Sequence, residues 1–108
     1  MTRIYIAGPY TKGDPVINTR NVIDAADILT LAGHVPYVPH LTLFWHMIHP
    51  HDVNFWYDYD LAWLEMCDCL LRLPGESSGA DTEEAIANQN GMRIYHSIDE
   101  CLMREGIA

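Results

Sequence analysis

The sequence predicts a three-layer α/β domain with a parallel sheet of four to five strands and helices on both faces. Short β-rich runs alternate with helical patterns along the chain. This alternation is typical of parallel sheets, because a crossover helix must return the chain between parallel strands. The 108 residues, 49% of them hydrophobic, can form one core. We therefore assign residues 1–108 to a single domain.

The first third of the chain is predicted to contain two strands joined by a long helix. A buried strand at 3–7 ends at a Gly-Pro pair, which breaks regular structure. Asp14 is a predicted N-cap with proline at the first helical position, so the helix runs from 15 to about 32. Gly33 ends it. The next strand, 34–38, contains a proline and is therefore predicted to be an edge strand.

The segment from 39 to 53 is rich in aromatic residues and histidine and has no clear period. We interpret it as a functional loop with at most a helical turn. Regular alternation resumes after it, with patterns of the expected length and spacing. The predicted elements are a helix at about 54–66, a strand at 69–73, a helix at about 82–90, a strand at 93–95 and a helix at 98–105.

Topology predicts where a site should lie. In open α/β sheets, ligands bind beyond the carboxyl ends of the strands, where the strand order reverses. A flavodoxin- or Rossmann-like order of 2-1-3-4 would place the loops 8–14 and 74–81 at that crevice. Glu83 is predicted in the first turn of the following helix, where the helix dipole favours an ionised carboxylate. Asp81 and Glu84 are equally suited to that helix end, so a capping role for Glu83 stays open.

Charge and composition exclude several classes of partner. The net charge of −9 argues against a basic surface for nucleic acid or anionic membrane. No stretch approaches the roughly 20 apolar residues of a membrane span, and the N-terminus lacks the apolar segment of a signal peptide. Three cysteines without framework spacing do not indicate a disulfide scaffold. We expect a cytoplasmic protein that acts on a small molecule.

Three motifs resemble those of a known enzyme family. They are IYIAGPY at 4–10, DLAWLEMCD at 60–68 and SSGADTE at 77–83. In this order and spacing, the chain resembles the nucleoside 2-deoxyribosyltransferase superfamily, which includes 2′-deoxynucleoside 5′-phosphate N-hydrolases. The resemblance implies cleavage of an N-glycosidic bond, followed by transfer of the sugar to another base or to water. It also implies a homodimer or larger homo-oligomer in which a neighbouring chain completes the site.

The resemblance also implies roles for individual residues. Glu83 matches the glutamate that attacks C1′ of the sugar, and Tyr5 matches the tyrosine that orients it. Asp60 matches the aspartate that helps to bind substrate and assists departure of the base. Ser77 matches a serine that contacts the 5′-phosphate of nucleotide substrates. No cofactor is implied.

Other residues of the first and third motifs are expected to contact substrate. They are Gly8, Pro9, Gly79 and Asp81. Two of them depart from the nucleotide hydrolases. Pro9 replaces a phosphate-contacting serine, and Asp81 replaces a small residue beside the phosphate, where a second acid would repel an anion. These changes count against a monophosphate substrate.

The aromatic segment has a second set of candidate residues. We predict that Phe44, Trp45 and His46 line a wall of the site and stack on a nucleobase. The alternative is an aromatic plug that only covers the end of the sheet. Four histidines, at 40, 46, 49 and 51, raise the possibility of a metal. We predict none, because zinc needs three or four well-placed ligands.

These observations predict a nucleoside deoxyribosyltransferase or a nucleoside or nucleotide N-glycosidase. The alternative from another class is a nucleotide-binding sensor on the same scaffold, without catalysis. An intact set of Tyr5, Asp60 and Glu83 favours the enzyme, since a sensor has no need of a nucleophile.

Overall fold

The protein is built around a four-stranded parallel sheet. The computed structural model describes residues 1–107. The strands are β1 (Arg3–Ala7), β2 (Val35–Tyr37), β3 (Cys69–Arg72) and β4 (Arg93–Tyr95). They lie in the order β2-β1-β3-β4, and every pair is parallel. The predicted fold class and the flavodoxin-like strand order are confirmed, and β2 is an edge strand as its proline predicted.

Five helices connect or follow the strands. They are α1 (Pro15–Leu31), α2 (Thr42–Ile48), α3 (Val53–Leu64), α4 (Ser78–Gln89) and α5 (Ile98–Glu105), with a 3₁₀ turn at Pro39–Leu41 before α2. Asp14 caps α1 and Ser97 caps α5 through side-chain hydrogen bonds to backbone N–H groups, which explains why both helices begin where predicted.

Two predictions along the chain are wrong. The segment 39–53 is not a loop, because the 3₁₀ turn and α2 occupy most of it. Helix α4 begins at Ser78, four residues earlier than predicted, because the Ser77 hydroxyl accepts from the backbone N–H of Ala80 at 3.1 Å and caps the helix there. A glycine at the second helical position hid this start in the sequence.

Alternate residues of the strands form two cores, one on each face of the sheet. On one face, Ile4, Ile6 and Leu71 pack with the buried sides of α1 and α5. On the other, Tyr5 and Leu70 pack with α3 and α4. The two faces follow from the strand order, because right-handed crossovers in opposite directions place their helices on opposite sides.

The strand order reverses between β1 and β3, so the loops that follow these strands diverge and open a crevice there. Helices α2 and α3 extend one wall of the crevice beyond the sheet. Among residues 1–107, no helix combines the length and the apolar character needed to cross a membrane.

Candidate functional site

An open cavity of about 630 Å³ lies at the carboxyl edge of the sheet. This volume is in the range of small-molecule sites. The cavity lies where topology predicted it, beside the loops that follow β1 and β3. Residues of these loops and of α2, α3 and α4 line it: Gly8, Tyr10, Thr11, Lys12, Pro39, His40, Thr42, Leu43, His46, His51, Val53, Trp56, Tyr57, Asp60, Ser77, Ser78, Gly79, Ala80 and Glu83.

The loop after β3 is held against the loop after β1 by a close glycine–proline contact. Gly75 has a φ of 119°, and a Cβ at this position would come within 2.6 Å of the Pro9 ring. Both the conformation and the space therefore require glycine. Pro9 was predicted to contact substrate, but it does not line the cavity. Its ring packs on Gly75, and its carbonyl accepts a hydrogen bond from His40 Nε2 at 2.8 Å.

Glu83 reaches the cavity from α4 and is bound by Tyr5. The Tyr5 hydroxyl donates to Glu83 Oε2, which brings together two residues 78 positions apart in the sequence. Because α4 starts at Ser78, Glu83 is its sixth residue rather than part of its first turn. The prediction that the helix end favours its charge is therefore wrong, since that effect fades beyond the first turn.

The surroundings of Glu83 disfavour its charge. Burial raises the pKa of Glu83 to about 7, and the nearby Asp60 carboxylate also raises it. The Tyr5 hydrogen bond and the more distant Arg72 act in the opposite direction and do not cancel the effect of burial. The Tyr5 pKa is raised well above its usual range, by burial and then by Glu83, so the hydroxyl remains a donor.

Asp60 lies on α3 and is bound by a second tyrosine. The Tyr37 hydroxyl donates to Asp60 Oδ1 at 3.0 Å. Burial raises the pKa of Asp60 to about 6, although the Tyr37 hydrogen bond lowers it. Sequence reasoning did not single out Tyr37. The sequence did contain a signal. Tyr37 lies near the end of the strand predicted at 34–38, and that strand was predicted to lie next to the strand of Tyr5.

Asp81 is turned away from the cavity by an ion pair. Its carboxylate accepts from the buried Arg72 guanidinium at 2.7 Å, and Arg72 also donates to the Gly75 carbonyl at 2.7 Å. Asp81 does not line the cavity. The expectation that its charge would repel an anion is weakened, because Arg72 neutralises it. Gly79 and Ser77 line the cavity as predicted, with Ser77 also serving as the helix cap.

The aromatic segment only partly follows the prediction. His46 lines the cavity, but Phe44 and Trp45 do not. Phe44 is 72% exposed, and Trp45 packs edge-on against Trp56 with ring centroids 5.0 Å apart. The segment is a helix, so its side chains point in several directions. The side of the helix that reaches the cavity carries His46 rather than Phe44 and Trp45.

Two aromatic residues of the cavity were missed. Trp56 and Tyr57, at the start of α3, line it in place of the predicted pair. Trp56 Nε1 donates to His46 Nδ1 at 2.8 Å and ties α3 to α2. The only signal in the sequence was the density of aromatic residues, which does not say which ones share a face.

Three of the four candidate histidines are engaged in other contacts. His40 bonds to Pro9, His46 accepts from Trp56, and the His51 ring stacks on Phe55 with centroids 4.0 Å apart. Burial lowers the pKa of His40, and its Nδ1 has no hydrogen-bond partner among the described residues. Within residues 1–107, no group of three or more His, Cys, Asp or Glu side chains is arranged to hold a metal ion.

The fold and the site define a class of parallel α/β proteins. Its members have an open cavity at the carboxyl edge of the sheet, with two tyrosine-bound carboxyl groups at its wall. Residues 2–96 match a protein family described as a domain of unknown function, DUF4406. The chain belongs to this family. A comparison with curated proteins finds no match.

Proposed function

We propose that the protein breaks the N-glycosidic bond of a nucleoside or nucleoside 5′-monophosphate, with Glu83 as the nucleophile. One observation carries the proposal: the Glu83 carboxylate is tied by Tyr5 in the wall of a cavity that Asp60 also lines. The motifs that resemble nucleoside 2-deoxyribosyltransferases contain these same three residues. The resemblance supplies the substrate class, and the geometry supplies a candidate reacting pair.

The proposed reaction has two steps. Glu83 Oε1 attacks C1′ of the sugar, the bond from C1′ to the base nitrogen breaks, and its electron pair leaves with the base. Asp60, in its protonated form, gives the base a proton. In the second step, water or a second base attacks C1′ and gives up a proton to the Asp60 carboxylate, and the bond from C1′ to Glu83 breaks, so that the Glu83 carboxylate and the protonated Asp60 are regenerated. Tyr5 binds Oε2, which leaves Oε1 for the sugar.

The two carboxyl groups predict a bell-shaped pH dependence. The reactive form has Glu83 ionised and Asp60 protonated, so the pair carries one proton. The Asp60 pKa of about 6 lies below the Glu83 pKa of about 7. Activity therefore rises as the pair loses its first proton near pH 6 and falls as it loses its second near pH 7, and only a minor fraction of the pair is in the reactive form. The two limbs belong to the coupled pair rather than to either residue alone.

A screen of nucleosides and 5′-monophosphates for free-base release, with and without an acceptor base, tests the proposal. The wild-type protein should release base from at least one substrate, and Glu83→Ala should not. Release that depends on acceptor identifies a transferase, and release in water identifies a hydrolase. If the protein bound a nucleotide without releasing its base, the enzyme hypothesis would be wrong and the sensor hypothesis would be favoured.

The covalent step has its own test. A substrate with a fluorinated sugar, which slows the second step, should add the mass of the sugar to the protein. Peptide mapping should locate that mass on Glu83. A label on another residue would show that the nucleophile was misassigned.

A homodimer or larger homo-oligomer is part of the proposal. Large apolar side chains stand exposed on α2 and at the start of α3, beside the open cavity; Phe44 is 72%, Met47 69% and Val53 79% exposed. We expect light scattering to give the mass of an oligomer, and Met47→Ser to shift it toward monomer. Leu31→Ser is the control, because Leu31 is 79% exposed on the opposite side of the sheet.

The proposed location is the cytoplasm, and the proposed partner is a small nucleoside or nucleotide. The cysteines at 67, 69 and 101 are unpaired in the structure, which suits a reducing compartment. The net charge of −9 disfavours nucleic acid as a partner. Fractionation of cells that express the native chain tests the location.

A further inference from the structure

Tyr5 and Tyr37 form a matched pair on neighbouring strands. They are direct partners in the register of β1 and β2, so their side chains leave the sheet on the same face. Their rings stack with centroids 5.4 Å apart and an interplanar angle of 28°. Each hydroxyl donates to one carboxyl group of the cavity, Tyr5 to Glu83 and Tyr37 to Asp60. Two neighbouring strands thereby hold both carboxyl groups of the cavity through their tyrosine hydroxyls.

The Tyr37 ring is held from both sides. Tyr5 stacks on one face, and Trp63 of α3 stacks on the other, with centroids 5.6 Å apart and an angle of 17°. Asp60 and Trp63 are three positions apart on α3 and therefore lie on the same face of that helix. Tyr37 thus contacts α3 at two points, through its ring and through its hydroxyl. A ring fixed in this way gives its hydroxyl little freedom to move.

We propose that Tyr37 is a positioning residue that orients the Asp60 carboxyl group for proton transfer to the departing base. This inference rests on the proposed function and adds a residue to it. Tyr37 binds Oδ1, so Oδ2 is the oxygen that faces substrate and carries the proton. The arrangement repeats that of Glu83, where Tyr5 binds one oxygen and leaves the other for the sugar.

The hydrogen bond from Tyr37 also affects the charge of Asp60. It favours the ionised form of Asp60 and so opposes burial, which raises the Asp60 pKa. The titratable groups that face Asp60 are Tyr37 from β2, Tyr5 from β1 and Glu83 from α4. Loss of the Tyr37 hydroxyl should therefore raise the Asp60 pKa further and move the pH profile of the coupled pair to higher pH.

Tyr37→Phe tests the inference, because it keeps the stacked ring and removes only the hydroxyl. We expect kcat for base release at the optimum to fall about tenfold, because the hydroxyl no longer stabilises the carboxylate that forms as Asp60 gives up its proton. The pH profile should move to higher pH. A residue that only supported the fold would lower the rate without moving the profile. Tyr95→Phe is the matched control, since it removes a hydroxyl that donates to a carboxylate, that of Glu105, on the face of the sheet opposite the cavity.

A double-mutant cycle with Asp60→Asn isolates the link between the two residues. When Asp60→Asn is already present, Tyr37→Phe should change the rate less than about twofold, because the group that it positions is gone. An equal loss with and without Asp60→Asn would overturn the inference. The cycle needs only residual activity, so it decides the question even when Tyr37→Phe lowers stability.

Carbon-13 NMR titration of the Asp60 carboxyl group separates this inference from the proposed function. An upward shift in Tyr37→Phe supports the link between Tyr37 and Asp60, and an unchanged titration overturns it. Both results can be obtained when the wild-type protein releases no base. In that case the proposed function is wrong, and Tyr37 has no role in base release. The titration still shows whether the Tyr37 hydrogen bond affects the pKa of Asp60.

Discussion

Two glutamates on opposite faces of the sheet have the same kind of partner and opposite acidity. Glu83 accepts from the Tyr5 hydroxyl, and Glu105 accepts from the Tyr95 hydroxyl. Burial raises the pKa of Glu83 to about 7, whereas the Arg93 hydrogen bond lowers that of Glu105 to about 2. A tyrosine hydroxyl is therefore not enough to keep a buried carboxylate ionised.

The difference lies in the positive charge. Arg93 donates to both oxygens of Glu105, at 2.6 and 3.1 Å, and Thr2 adds a third hydrogen bond. Glu83 has no such partner among residues 1–107, since the nearby Arg72 is bonded to Asp81. The carboxylate on the α1–α5 face is satisfied and stabilises the fold. The carboxylate in the cavity lacks such a partner, and its ionisation costs stability, which is common at functional sites.

The largest expected effect comes from Glu83→Gln. Base release should fall about a thousandfold or more, because the proposed nucleophile is lost. Stability should change in the opposite sense. The folded pKa of about 7 exceeds the ordinary value of 4.5, so ionisation destabilises the fold as pH rises from 4.5 to 7. Glutamine escapes this penalty and should raise the free energy of unfolding at pH 8 by about 2–3 kcal/mol.

Denaturant unfolding at pH 4 and pH 8 measures this gain. It should be absent at pH 4, where Glu83 is protonated in both the folded and the unfolded chain. Glu65→Gln, at an exposed position at the end of α3, is the control and should show no such dependence. A gain of the same size at both pH values would mean that charge is not its cause.

Glu105→Gln should have the reverse effect on stability. The folded pKa of about 2 lies below the ordinary 4.5, so the stabilisation is present above pH 4.5 and is lost as pH falls toward 2. Because the Arg93 side chain is 57% exposed, we expect a loss of only about 1–2 kcal/mol at pH 7.

Unfolding curves at pH 7 and pH 3 check this second change, and the loss should be smaller at pH 3. Base release should be unaffected, because Glu105 lies on the face opposite the cavity. Glu100→Gln, an exposed position on the same helix, serves as the control. A loss that does not depend on pH would indicate packing rather than charge.

A smaller effect is expected from the pair of Arg72 and Asp81. Arg72 lowers the pKa of Glu83, but its charge is partly neutralised by Asp81. Asp81→Asn should free that charge, lower the Glu83 pKa and move the pH profile of base release down by a few tenths of a pH unit. Arg72→Gln should move it up. The opposite signs are the test, and shifts in the same direction would show that Arg72 does not act on Glu83 through its charge.

The sequence was sufficient to predict the framework that carries these charges. The strands and the caps at Asp14 and Ser97 follow from local residue preferences, and the strand order and the crevice follow from general topological rules. Tyr5, Asp60 and Glu83, which the motifs singled out, meet at the cavity.

Contacts between distant residues could not be predicted in the same way. Tyr37 was missed because its contacts depend on the register of β1 and β2 and on the position of Asp60 in α3. Phe44 and Trp45 were misplaced because α2 is short and mostly apolar, so its sequence does not show which side faces the cavity. Neither the partner of Arg72 nor the charge state of Glu83 can be predicted from the sequence, because both depend on which groups are buried together.

The smallest expected effect is that of a chelator, and it tests the basis of the comparison. A bound metal ion would supply the positive charge that Glu83 lacks, and its pKa would then fall. We expect dialysis against EDTA to leave both the rate of base release and its pH profile unchanged, because Arg72 and Tyr5 are the groups that favour ionised Glu83. If EDTA lowered the rate and zinc or magnesium restored it, the acidity of Glu83 in the working protein would be set by a metal, and the contrast with Glu105 would disappear.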